Sequence, residues 1–180
     1  MSSTVAGLPI ELAHLSWLVG EWEGVGLGQY ATIEDFRFGQ SISISCDGRP
    51  FLHYRSQSWL LDDDGAPVRQ TASESGFFRP QPDNGVELLL SHPSGYAEVW
   101  HGTVTVTALH NARITGAQLD LRTDLVARTE SAKPYTAGHR LYGLVNGELL
   151  WTFDMAAMGE PLSNHLAARL RPIYDQAAER

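Results

Sequence analysis

Along most of this chain apolar and polar residues alternate with a period of two, the spacing of a half-buried strand rather than of a helix. Phe36, Phe38, Ile42 and Ile44 mostly stand between polar neighbours. Similar strand-like runs recur at 74–79, 86–91, 96–101, 103–109, 119–126, 139–145 and 149–153. Asp47-Gly48, Asn84-Gly85, Ser94-Gly95 and Asn146-Gly147 fall between them, and these residue types favour tight hairpin turns. Residues 9–19 break the pattern: Ile10, Leu12, Leu15, Trp17 and Leu18 follow Pro9, which suits a first helical turn, so a short helix or helical turn is predicted there. Nine or ten strands at this regular spacing predict an all-β fold, a single antiparallel β-barrel or sandwich, with a short N-terminal helical segment.

Two segments refine that picture. In Gly20-Glu21-Trp22-Glu23-Gly24-Val25-Gly26, extended by Gly28, glycine at alternate positions lets a strand bend or pass close to another backbone. Trp22 is expected on the opposite face, plugging the end of a small barrel. Because a strand rather than a helix follows, the glycines do not form a dinucleotide fingerprint. At the other end, Leu166 and Leu170 fit helical spacing, whereas Leu166, Ala168 and Leu170 alternate like a strand. A closing strand is favoured, with His165 near its start and directed toward a pocket, although alternation alone puts His165 and Ala167 opposite the leucines. Small barrels either fill their interior or hold one ligand. Ala156, Ala157, Gly159, Ala167 and Ala168 near His165 suggest room for something flat and bulky. A neutral imidazole among apolar residues suits haem iron, while a partly buried structural histidine fits the same position.

Composition narrows the classes. With 180 residues and no linker or repeat, one domain spans 1–180, with residues 1–8 read as a disordered tail. Thirteen basic against 21 acidic residues give a net charge of −8, and the basic ones are scattered, which argues against nucleic acid and against anionic membranes. Cys46 is the single cysteine, so it is expected to pack as a small apolar side chain, without disulfide or thiolate cluster. Without an apolar stretch of membrane-spanning length or a leader pattern, a cytoplasmic location is expected. Asp62-Asp63-Asp64-Gly65 lacks the spacing of a calcium loop and reads as a solvated tip.

Taken with Gly28-Gln29-Tyr30-Ala31-Thr32-Ile33, Gly48-Arg49-Pro50-Phe51-Leu52, Glu74-Ser75-Gly76-Phe77-Phe78-Arg79 and the tail Met155 to Leu166, these motifs make the chain resemble the nitrobindin family over nearly its full length. The resemblance implies a fatty-acid-binding-protein-like (calycin) barrel holding ferric haem b. It implies that His165 is the axial iron ligand, that Thr32 contacts the haem, and that Lys133 meets the haem edge, this last on a looser match. It further implies isomerisation of peroxynitrite to nitrate at the open iron face, without an external reductant, and nitric oxide binding at that position. One departure stands out: Ala72 occupies a position where family members often carry histidine, which removes a donor and adds space if that position borders the distal pocket.

Two other functions use the same residues. A non-catalytic carrier of fatty acids or another apolar molecule needs the barrel and an internal anchor, for which Arg79, Arg140 and Tyr142 are candidates. A hydrolase or metal enzyme ranks last, because the seven histidines show no H-E-x-x-H or H-x-H spacing and no G-x-S-x-G elbow is present. His92 and His139 are further candidates for approaching the pocket. The expected partners are therefore small molecules, and a homodimer is left open.

Overall fold

The computed structural model describes residues 7–173. Ten antiparallel strands close into one barrel: β1 (Gly20–Tyr30), β2 (Ile33–Ser45), β3 (Leu52–Leu61), β4 (Pro67–Pro80), β5 (Gly85–His92), β6 (Tyr96–His110), β7 (Arg113–Arg128), β8 (Tyr135–Val145), β9 (Glu148–Ala157) and β10 (Ser163–Pro172). Each strand pairs with its sequence neighbour, and β10 returns to β1, from Trp22 opposite Pro172 to Gly28 opposite Leu166. Closure leaves no free sheet edge. The strand count and the strand identity of the tail are as the alternation predicts, and of the barrel or sandwich it leaves open the fold is the barrel. The runs 96–101 and 103–109 prove to be one strand, β6, whose pairing with β7 continues through Gly102 opposite Leu121.

The segment after Pro9 is a 3₁₀ helix, Ile10–Leu18, rather than an α-helix. It caps one end of the barrel, sending Leu12, Leu15 and Leu18 into the core. The Trp22 indole donates to the Leu18 carbonyl at 2.9 Å, tying the cap to β1. Trp22 thus lies on the inward face with Gly26, Gly28 and Tyr30, not on the opposite face as expected. The reason is simple parity: residues 20, 22, 24, 26 and 28 share one side of a strand. Residues 1–6 of the expected tail lie outside the described residues, and Leu8 packs against the core. Cys46 also packs partly against the core, as expected. Among the described residues no helix is long and apolar enough to cross a membrane.

Opposite the helical cap, the C-terminal ends of the odd-numbered strands and the starts of the even-numbered ones form the other end of the barrel. Thr32 lies in the β1–β2 turn, Lys133 in the β7–β8 loop and His165 near the start of β10, so the topology brings all three to this open end.

Candidate functional site

His165 reaches the barrel mouth because β10 breaks its own alternation. Ala168 and Leu170 point into the core, so an unbroken strand would turn residue 165 outward. A β-bulge intervenes: Asn164 pairs with Asp154 and Leu166 with Phe153, leaving His165 as the extra residue. Such bulges re-aim side chains at barrel rims. The imidazole meets the rings of Tyr30, Phe153 and Phe36 edge-on, at 5.5, 6.0 and 6.3 Å between centroids. Its Nδ1 lies 3.0 Å from the Gln29 carbonyl. A carbonyl only accepts, so in the neutral ring Nδ1 carries the proton and Nε2 keeps its lone pair. Burial lowers the His165 pKa, with the Gln29 bond acting weakly the other way, and this favours the neutral, ligating form.

The aromatic walls are held from below. The Tyr30 hydroxyl accepts from the Ala157 amide at 2.9 Å and lies 3.0 and 3.2 Å from the Met155 and Ala157 carbonyls, joining the end of β1 to the end of β9. Phe36 rests on Gly28, its cross-strand partner, where a Cβ would overlap the ring. Phe153 rests against Gly138; a Cβ there would stand 2.8 Å from its ring, 2.6 Å from Trp100 and 2.5 Å from the Tyr135 hydroxyl.

Deeper in the barrel lies a polar cluster that sequence spacing does not reveal. The Arg140 guanidinium forms a two-pronged pair with Glu74, one prong at 3.1 Å, and donates to the Tyr142 hydroxyl at 3.2 Å. Tyr54 donates to the same carboxylate at 2.9 Å. Next to it, Glu98 accepts from the Trp100 indole at 3.1 Å and pairs with His92 at 2.8 Å. Burial pushes the Glu74 pKa up most strongly, but the Arg140 charge and hydrogen bonds, with His92 and the Tyr54 hydroxyl, together outweigh it and hold the group down at about 2. The Glu98 pKa is also lowered: burial pushes it up, and the His92 bond and Arg140 charge pull it down further. The Arg140 guanidinium carbon stands 4.9 Å from the Phe153 ring centre, so one aromatic ring separates this cation from His165. Arg140 Nε and the Tyr135 hydroxyl are buried without a hydrogen-bond partner among the described residues.

The remaining candidates divide cleanly. Thr32 and Lys133 have exposed side chains at the open end, and the Lys133 carbonyl accepts from the Tyr96 hydroxyl at 2.8 Å. Of the three anchors named for a carrier, Arg140 and Tyr142 are buried inside, whereas Arg79 lies on the outer surface paired with Glu87. His92 is interior. His139 is not: it sits on the outer face between Asp120 and Asp154. Ala72 is exposed on β4, two residues from Glu74 toward the open end. Among the described residues no group of three or more His, Cys, Asp or Glu side chains is placed to hold a bare metal ion. The donor set at the mouth, one neutral imidazole with a free nitrogen among aromatic walls, fits a flat iron-bearing group instead.

Comparison with known proteins agrees. The solved structure of Rv2717c from M. tuberculosis superposes with a TM-score of 0.84 at 35% identity, covering 93% of this chain and 99% of that one. A protein of Nocardioides sp. named peroxynitrite isomerase is 51% identical over 156 residues, 87% of this chain and 89% of the relative. A ferric nitrobindin-like protein of Kineococcus radiotolerans is 42% identical, over 92% of this chain and 94% of the relative. Residues 11–171 match the family described as the THAP4-like, heme-binding beta-barrel domain. Haem is accordingly the cofactor of this fold, and the chain belongs to the nitrobindin-like family of haem-binding β-barrels.

Proposed function

We propose that this chain is a cytoplasmic ferric haem b protein that isomerises peroxynitrite to nitrate and binds nitric oxide at the same open position. One observation carries this reading above the others: the β-bulge at His165 leaves an imidazole in the barrel mouth with Nδ1 tied to Gln29 and Nε2 without a hydrogen-bond partner among the described residues. The name of the Nocardioides relative supports the activity.

His165 Nε2 would hold the iron. The Gln29 carbonyl, by accepting from Nδ1–H, fixes the ring and raises its basicity as a ligand. Tyr30, Phe36 and Phe153 exclude water from that face. Thr32 supplies a hydroxyl and Lys133 an ammonium at the rim, chemistry suited to the porphyrin edge and a propionate. Ferric haem held there would supply a Lewis acid and one-electron partner without need of an external reductant. The aromatic walls would confine a small ligand held at the mouth.

The carrier alternative fares worse on the internal arginine. A fatty-acid anchor needs a cation free to meet a carboxylate, and the Arg140 fork is already taken by Glu74. Trp100, Tyr54, Tyr142 and Phe78 also fill the barrel interior.

The test is an optical titration of the purified protein with ferric haem, beside His165→Ala. A stoichiometric Soret band lost in the variant is expected, followed by accelerated peroxynitrite decay to nitrate in stopped flow. A weak, unsaturable band equal in both proteins would overturn the assignment and restore the carrier.

A further inference from the structure

The bulge that aims His165 is bracketed by its neighbour. Asn164 Nδ2 donates across the strand pair to Asp154 Oδ1 at 3.0 Å and along its own strand to the Leu166 carbonyl at 3.4 Å, spanning His165. The other Asp154 oxygen, Oδ2, meets His139 Nδ1 at 3.4 Å, and His139 Nε2 meets Asp120 Oδ1 at 3.0 Å. A polar ladder therefore crosses the outer face from β7 through β8 and β9 and ends at the residue beside His165. On the inner side the imidazole has its own tether at Gln29.

We propose that Asn164 is a positioning residue for His165, with Asp154 as its anchor: the clamp on the outer face fixes the bulge, and the fixed bulge holds Nδ1–H on the Gln29 carbonyl and Nε2 toward the mouth. A bulge residue lacks a cross-strand partner, so its orientation is not set by the ladder alone. Without the Asn164 amide, the segment relaxes and the tether to Gln29 is lost part of the time. The inference rests on His165 being the iron ligand, but its first consequence concerns the haem-free protein.

Long-range ¹H–¹⁵N spectra of the haem-free protein read the tautomer of His165 directly. The wild type is expected to show the Nδ1–H form, and Asn164→Ala and Asp154→Ala a mixture of both tautomers. Haem affinity should fall about tenfold in each, the lower end of what loss of an outer-shell partner typically costs. Asp154→Asn keeps an acceptor oxygen for Asn164 and should restore both readouts. Both residues lie on the outer face, so the core is untouched, and two alanine variants guard against one folding poorly. Wild-type tautomer and affinity in both alanine variants, or Asp154→Asn behaving like Asp154→Ala, would overturn the clamp. Haem binding that survives His165→Ala would overturn the ligand assignment instead, with the tautomer result still deciding the clamp.

Discussion

Phe36 lies across Gly28, and its ring occupies the space a side chain at that position would need. The same ring meets His165 at 6.3 Å, so the missing Cβ on β1 sets one wall of the mouth. Gly28→Ala should therefore drive the ring toward His165, lowering haem affinity and destabilising the barrel by about 1–3 kcal/mol, the usual range for overpacking. Adding Phe36→Leu should return much of both losses, since contacting residues couple. Denaturant unfolding and haem titration on the single and double variants check this; purely additive losses would contradict it.

The Tyr30 hydroxyl is the polar link between the ends of β1 and β9, and the amide of Ala157 depends on it. Tyr30→Phe keeps the ring beside His165 but leaves that buried amide unpaired, which costs about 1–3 kcal/mol. The urea midpoint should fall accordingly while the Soret band stays in place. A lost Soret band with an unchanged midpoint would show the hydroxyl serving the haem rather than the frame.

How far the sequence foretells this arrangement depends on what kind of pattern carries it. Strand alternation and turn pairs such as Asn146-Gly147 are local, and they suffice for nine or ten antiparallel strands in a barrel or sandwich; the pairing of β10 with β1 that closes the barrel is long-range. Trp22 shows parity misapplied, for the two-residue period puts it with the glycines and the structure agrees. His165 shows the opposite limit. Strict alternation turns it outward, and only the register between β9 and β10 places a bulge there. The Arg140, Glu74, Tyr54 and Tyr142 cluster joins residues up to 88 positions apart, from β3 to β8, so no spacing announces it. A faint signal exists all the same: a charged residue in line with an inward apolar one, Glu74 with Phe78 on β4 and Arg140 with Leu144 on β8.

Thr32 and Lys133 lie at the open end with exposed side chains, so their loss should not disturb the core. If they hold the haem rim, Thr32→Val and Lys133→Ala should each speed haem transfer to an apo-myoglobin scavenger by up to about tenfold, the worth of a single net hydrogen bond or a charge-assisted one. The Soret position should not move, because the iron ligand is unchanged. Transfer rates equal to wild type in both variants would remove these residues from the site.

The Glu74–Arg140 pair makes stability depend on pH in a defined window. Its folded pKa is held at about 2, below the ordinary 4.5, so between those values the unfolded chain binds more protons than the folded one. The stability this carboxylate contributes is therefore full above about pH 4.5 and is lost as pH falls through about 2. Glu74→Gln removes the titration and leaves Arg140 buried without its directly paired counter-ion, a loss on the order of 3–5 kcal/mol at neutral pH. Urea unfolding of both proteins from pH 7 to pH 2.5 should show a constant gap down to about pH 4.5 that then narrows, because only in the wild type does the unfolded chain take up a proton at position 74 that the folded one does not. Carboxylates away from the cluster titrate alike in the two proteins and cancel from the difference, whereas Glu98, relieved of the Glu74 charge that raises its pKa, is held lower still in the variant. A gap that stays constant to pH 2.5 would mean that the carboxylate at position 74 does not carry the charge that neutralises Arg140.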